Sequence, residues 1–296
     1  MRNVTILFPV LSGIFVLIRG QDVNDDMMHY HLYNPYAFLT GRITRDLAPG
    51  GMHSFFNPLL DVPFFLMEMH LPAPLAGFLM GAVQGTGFLL LLGICRSVLR
   101  DLPDVDRRRV PLLLAISGCL TTNFLTGLGN SMNDSLTMLF DLGAVLVLLR
   151  RWDVAANGSL RGSLWLCLPG LILGAGIGLK LTNAIYAPAL CLGALLLPAG
   201  IAGRFLAAVL VGVGVLIGIG ITGGFWFLEL YRLFGNPLFP QFSDIFPSPL
   251  VEPAGVLDTA WRPRDWLEGV AWPFIFTANP LRVGQLPFRQ IIWPCA

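Results

Sequence analysis

The chain has 296 residues, of which 55% are hydrophobic and only 12% charged, with a mean hydropathy of +0.69. Soluble domains carry about 25% charged residues, so a water-soluble globule is excluded, as are a disordered chain, a coiled coil, a collagen-like repeat and a disulfide-stapled scaffold. A net charge of +1 offers no basic surface for nucleic acid. What remains is an all-α, polytopic membrane bundle, built from apolar stretches long enough to cross a hydrocarbon core of about 30 Å.

Seven apolar segments follow in chain order, at residues 4–18, 72–95, 110–127, 135–149, 163–180, 183–198 and 205–227, and they predict about seven membrane helices. The first is short. No small-residue cleavage site follows it before Arg19-Gly20-Gln21-Asp22, so it reads as a retained anchor and not a signal peptide. Ten basic residues (Arg2, Arg96, Arg100, Arg107, Arg108, Arg109, Arg150, Arg151, Arg161 and Arg204) fall in short connections on one side. By the positive-inside rule that side is cytoplasmic and the N-terminus is inside; in a bacterium the membrane would be the cytoplasmic one and the outer compartment the periplasm or cell exterior. Two long stretches then face outward, residues 19–71 and 228–296. Long loops in compact proteins are usually functional, so the chemistry is expected on the outer face. Residues 1–227 form the membrane domain, including the outer loop 19–71. Residues 228–296 form a second outer segment rich in Pro and aromatics, ending where a further span is expected.

The first outer loop opens with Asp22, Asp25 and Asp26, then runs Met27-Met28-His29-Tyr30-His31-Leu32-Tyr33 to Gly41-Arg42. As a helix it would put Asp22, Asp26, Tyr30 and Tyr33 on one face, and would pair Asp25 with His29 at i,i+4. Clustered carboxylates raise one another's pKa, which suits a general base. The plainer alternative is a solvated interfacial helix with aspartates at its N-terminus and tyrosines in the aromatic belt. A calcium loop starting at Asp22 fails, because Met27 stands where Gly is needed and Tyr33 where Glu is needed. His29 and His31 point apart on a helix. Residues 52–68 are apolar but broken by Asp61, Pro63 and Glu68, and they predict a second interfacial helix.

Lys180 is the single lysine among 19 basic residues. It falls at the outer end of the fifth apolar segment, where it reads either as a snorkelling anchor or as a phosphate contact. Asp134 and Asp141 share a helix face; Asp134 is placed near the outer surface, and Asp141, deeper, as a structural partner for a polar group. The five cysteines are scattered without metal or redox spacing. Gly212, Gly214, Gly218, Gly220, Gly223 and Gly224 carry no phosphate-loop pattern and predict close helix packing. The segment Gly235 to Pro253 holds five prolines with Phe239, Phe242 and Phe246 between them. It predicts an extended flap over the site, or a rigid spacer.

Several stretches together resemble the C-type (GT-C) integral-membrane glycosyltransferases, nearest to bacterial proteins like the protein mannosyltransferases and aminoarabinose transferases. They are Asp26-Met27-Met28-His29-Tyr30-His31, the Asn57-Pro58 of the second interfacial helix, Asn133-Asp134, Gly178-Leu179-Lys180-Leu181-Thr182 and Gly235-Asn236-Pro237-Leu238-Phe239-Pro240. The resemblance implies transfer of a sugar from a polyprenyl-phosphate carrier to a lipid, glycan or protein acceptor on the outer face. It implies Asp26 or Asp25 as the general base, with Asp22, Tyr30, His31 and Asp134 at the substrates and Arg42 and Lys180 at the leaving phosphate. It allows a divalent cation, for which the residues show no ligand spacing, and calls for no other cofactor. Members usually carry more membrane helices, so the chain is expected to be a C-terminally truncated one whose own activity is in question. Two readings outside catalysis stay open: a transporter or flippase for a lipid-linked or small substrate, and an assembly subunit.

Overall fold

The structure, a computed structural model, describes residues 2–20, 22–46, 48–156, 164–248, 250 and 262–282. Its elements are helical throughout the described residues. Helix α1 covers Arg2–Arg19, and the first outer loop folds into a π-helical turn (Met27–His31), α2 (Tyr33–Thr40), two 3-10 turns (Gly51–Phe55 and Pro58–Leu60) and α3 (Val62–His70). Then come α4 (Ala73–Gly85), α5 (Gly87–Val98), α6 (Asp104–Cys119), α7 (Thr122–Gly127) and α8 (Asp134–Ala156). The second half holds α9 (Cys167–Leu179), a 3-10 turn (Leu181–Ile185), α10 (Tyr186–Ala194), α11 (Ile201–Thr222), α12 (Gly224–Phe234), α13 (Trp266–Val270) and α14 (Trp272–Ala278).

All seven apolar segments are helical, but their lengths differ. Among the described residues, two helices, Ala73–Val98 and Ile201–Thr222, are long and apolar enough to cross a membrane. The apolar runs Leu7–Arg19, Cys167–Leu179 and Leu181–Ala194 are shorter; at 1.5 Å per residue such helices reach about 20 Å. Helix α8 has length, but Asp134, Asp141, Arg150, Arg151 and Asp153 dilute its apolar run. The expectation of seven spans therefore meets two helices that satisfy length and composition.

Glycine decides how closely the helices approach. Helix α9 packs most extensively on α11. A Cβ on Gly170 would lie 2.0 Å from the Val211 carbonyl oxygen, on Gly174 2.1 Å from that of Val215, and on Gly214 2.1 Å from that of Cys167. Backbone touches backbone here, and no rotamer change could relieve the clash. Gly218 and Gly223 join the same seam, whereas Gly220 and Gly224 face open space, so the glycine-rich run serves packing in part only. Helix α1 lies against α4 through Gly13, Gly81 and Gly85. Its contacts fall from Gly85 to Gly77 as α1 ascends from Pro9 to Val16, so the pair is antiparallel. One apolar cluster joins α8, α9, α10 and α11 around Leu148, Leu173, Ile177, Leu190, Val211 and Val215. A second joins α5 and α6 around Phe88 and Cys119, with Phe8 stacked on Phe88 at 4.1 Å.

The α5–α6 turn and the end of α8 meet at one end, where Arg100 pairs with Asp153 at 2.6 Å. The first outer loop folds over the other. There Arg19 Nη1 donates to the carbonyls of Thr126 and Leu128 at 2.8 and 2.9 Å, closing the end of α1 onto the turn after α7.

The first outer loop departs from the helix expected. Its π-helical turn breaks the i,i+4 register, so Asp26 and Tyr30 still meet but Asp22 and Tyr33 leave their face. Asp22 turns to Ser131, accepting from its N and Oγ at 2.8 Å each. Tyr33 turns the other way and donates to Asp46 at 3.1 Å. Asp25 and His29 are exposed and, among the described residues, form no ion pair. Gly41 (φ 65°) and Gly235 (φ 71°) end α2 and α12 in the left-handed conformation that a side chain resists. The segment after α12 is also not extended: residues 237–245 form successive turns, while Pro249 and Pro253 lie outside the described residues. In the same outer segment α13 and α14 are helical.

Replacing Gly174 by Ala should cost about 1–3 kcal/mol by overpacking, read as a lowered thermal midpoint of the purified protein in detergent. The same change at Gly220, which meets open space, should leave the midpoint unchanged.

Candidate functional site

Helix ends and outer-loop turns enclose a cavity of about 380 Å³ at the end opposite the Arg-rich connections. Its walls are mostly apolar and aromatic, with Phe55, Phe56, Trp226, Phe227, Phe239 and Phe242 among them. Polar groups converge on one part of the lining: His31, Asp61, Asn133 and Lys180, beside Tyr30.

Each comes from a different element, and each local fold has a reason. The π-helical turn swings His31 inward and leaves His29 outside. Asp61 follows the 3-10 turn that Asn57 caps, its Oδ1 accepting from Leu59 N at 3.0 Å. Asn133 stands at φ +67° in the turn before α8, a conformation Asn tolerates better than other side chains, and its carbonyl caps Leu136 and Thr137. At Lys180 the backbone turns extended, which ends α9.

Asp61 is the hub. It is 4% exposed, and its Oδ1 lies 2.8 Å from His31 Nδ1 and also accepts from Asn133 Nδ2. Burial pushes the Asp61 carboxyl above the usual carboxylate range, while His31, Asn133 and Lys180 pull it back. Tyr30 is buried against His31 and His53, with ring centroids 4.1 and 4.9 Å away. Burial, then the carboxylates of Asp26, Asp61 and Asp134, push its phenol well above its ordinary value. Lys180 Nζ donates to the Met132 carbonyl at 2.6 Å and to Asp134 Oδ1. An ammonium has three donors, so one remains for a ligand in the cavity.

The structure thus brings Tyr30, His31 and Lys180 to the cavity. Asp134 reaches it only through Lys180. Asp26 lies against Tyr30 and Asp25 is exposed, and neither lines the cavity. Arg42 does not reach it: its Nε and Nη2 grip Asp46 at 2.9 and 2.8 Å. That contact holds the Asp46 carboxyl below the usual carboxylate range. Tyr33 joins the same half-buried group, and burial, then Asp46, pushes its phenol up to about 12. Asp22 fastens the loop to Ser131, and it also raises Glu68, whose shift comes first from burial. Asp141 has a buried Oδ1 with no hydrogen-bond partner, so the polar partner expected for it is not met at that atom. Among the described residues, no group of three or more His, Cys, Asp or Glu side chains gathers as a metal site would require.

Three residues of the site carry no predicted role. Linear position marks Asp61 as a break in the interfacial helix, Asn57 as part of its Asn-Pro pair, and Asn133 as the neighbour of Asp134. The available signal was Asp61 itself, a carboxylate set among apolar and aromatic residues, where an unpaired charge is costly. The segment after α12 closes one wall: Phe239 is buried and stacks on Phe234 at 4.1 Å, and Phe55 meets both edge-on. Trp226 Nε1 donates to the Phe55 carbonyl at 2.9 Å.

No protein-family model, curated protein or solved structure matches the chain.

Asn57 ties the outer loop to the helix ends, its Nδ2 donating to the Gly178 and Thr222 carbonyls at 2.8 and 3.0 Å. Asn57→Ala should lower stability by about 1–3 kcal/mol, because it leaves carbonyls in a partly buried place without their donor. A fall in the detergent thermal midpoint, together with faster proteolysis of residues 41–60, is the expected measurement.

Proposed function

We propose that the chain is a membrane glycosyltransferase that moves a sugar from a polyprenyl-phosphate carrier to an acceptor on the outer face of the cytoplasmic membrane. The observation that carries the proposal is the cavity's division of labour. Apolar and aromatic walls suit a polyprenyl chain, a lysine with a spare donor suits a phosphate, and a buried His–Asp pair suits proton transfer. Its volume falls within the range of small-molecule sites.

Membrane residence has its own support. Leu7, Leu11, Ile14 and Ile18 on α1, and Val209, Val213, Leu216 and Ile221 on α11, are all exposed. Apolar surface of that extent is rare on soluble monomers. The seven helical segments are read as membrane-embedded, the shorter ones reaching across through their flanking turns. The cavity lies at the end away from the Arg-rich connections, which agrees with an outward-facing site under the positive-inside rule.

In the reaction, the acceptor hydroxyl loses its proton to a base from the first outer loop and its oxygen bonds to the anomeric carbon. The bond from that carbon to the phosphate oxygen breaks on the opposite side, and the configuration inverts. Lys180 stabilises the charge gathering on the departing lipid phosphate, where a placed cation acts with little reorganisation.

Lys180→Met keeps the apolar stem and removes the charge. It should lower transfer from a radiolabelled polyprenyl-phosphate hexose or pentose by about 10²–10³-fold, with the protein still inserted in the membrane. Transfer at the wild-type rate would remove Lys180 from the donor site. Orientation is tested separately: a cysteine at the exposed Thr44 should react with an impermeant maleimide in intact cells, and one at the exposed Asp104 should not.

A further inference from the structure

The buried atoms of the cavity wall contain one nitrogen that structural packing leaves unexplained. His31 is 4% exposed, and its Nε2 has no hydrogen-bond partner. Buried polar side-chain atoms are mostly bonded, and an unbonded one calls for a reason. The other ring nitrogen is held firmly, by Asp61 at 2.8 Å. Asn133 grips the same carboxylate oxygen, so Asp61 cannot swing away from the ring. Tyr30 leans on the imidazole face. A histidine pinned at Nδ1 by a buried carboxylate, with Nε2 free in a ligand-sized cavity, has the parts of a general base and its orienting group. Asn133 also has a buried Oδ1 with no partner, and Asn133 lines both this cavity and the smaller polar one beside it.

We infer that His31, held by Asp61 and Asn133, is the group that takes the proton from the acceptor hydroxyl, in place of Asp26. The inference rests on the transferase reading. With Asp61 ionised, Nδ1 carries the imidazole proton and donates it to the carboxylate, and Nε2 presents its lone pair. As the acceptor oxygen bonds to the anomeric carbon, its proton passes to Nε2 and the carbon–phosphate oxygen bond breaks. The leaving phosphate keeps that electron pair opposite Lys180. The imidazolium is stabilised by Asp61 until it returns the proton to water. Asp61 and Asn133 are positioning residues in this scheme. Asn133 Oδ1 is placed to accept a hydrogen bond from a second hydroxyl of the acceptor, which favours a polyhydroxylated one. Asp26 lies against the Tyr30 phenol and outside the cavity lining. The titratable and charged groups around His31 are Asp61, Lys180, Asp134, Asp26, Tyr30 and His53. Among these the contact with Asp61 is the hydrogen bond that orients the ring.

The test uses the full chain in liposomes, a radiolabelled polyprenyl-phosphate hexose or pentose as donor, and bacterial membranes as acceptor. His31→Gln and His31→Ala should each lower transfer about 10²–10⁴-fold. Added imidazole should restore part of the activity of His31→Ala, which a merely structural role would not allow. Asp61→Asn, which leaves the imidazole without its orienting carboxylate, should lower kcat with little change in KM for the donor. Asp26→Asn should stay within about tenfold of wild type, about 1.4 kcal/mol in the barrier. Transfer by His31→Gln within tenfold of wild type, or loss in Asp26→Asn with His31→Gln still active, overturns the inference and leaves the transferase reading standing. No transfer by the wild-type protein with either donor removes both together.

Discussion

The outer half of the protein depends on one buried carboxylate. Asp61 sits in a turn of the first outer loop, yet its partners come from a π-helical turn of that loop and from the residue before α8. A lone ionised carboxylate at this depth would carry a desolvation cost of several kcal/mol, which explains why two donors converge on it. Their convergence in turn fixes where the loop lies. With Asp61 held, Asn57, four residues earlier, reaches the open carbonyls at the ends of α9 and α11. With His31 held, the turn before it brings Asp22 to Ser131 on the opposite side. The outer loop is therefore a folded lid, bonded at three places to the helix ends, with the cavity beneath it.

The helices beneath carry little charge, and their association relies on close backbone contact. Where backbones approach this closely, shape and small residues set which helices pair. The Gly170, Gly174, Gly214 and Gly218 seam of α9 and α11 is an instance, and Gly81 and Gly85 of α4 against α1 another. The first seam leads up to the cavity. Gly178, at the same end of α9, faces Thr222 and Gly223 of α11 and lines the cavity just before Lys180. Helix packing and placement of the cation are thus parts of one arrangement.

The donors and acceptors of the site are only partly used up by contacts within the protein. Lys180 spends two of its three protons on Met132 and Asp134, and Asp61 spends an oxygen on two partners. The two atoms left over, His31 Nε2 and Asn133 Oδ1, are buried and unpaired in the cavity wall. Leaving such atoms open costs about 1–3 kcal/mol each, and the surrounding packing bears that cost.

Much of the helical layout was legible in the sequence. Long apolar runs form helices here because every buried backbone amide within them requires a partner. The segregation of Arg to short connections, the grouping of the long loops, and the placement of Lys180 and Asp134 at a helix end near the outer loop all follow from linear position. The pairings inside the site did not. Helical periodicity placed Asp22, Asp26, Tyr30 and Tyr33 together, but a π-helical turn shifts register by a fraction of a turn and sends Asp22 and Tyr33 to opposite partners. Arg42 found Asp46 four residues away, a local contact that cost less chain entropy than reaching the cavity. The prolines after α12 forbade a helix, yet turns and an extended strand satisfy that rule equally, and packing against Phe55 and Phe234 selected turns. The joining of His31, Asp61 and Asn133 spans 102 residues of chain. No local rule specifies such a contact, because it exists only once the helix ends have brought three separate turns to one buried point.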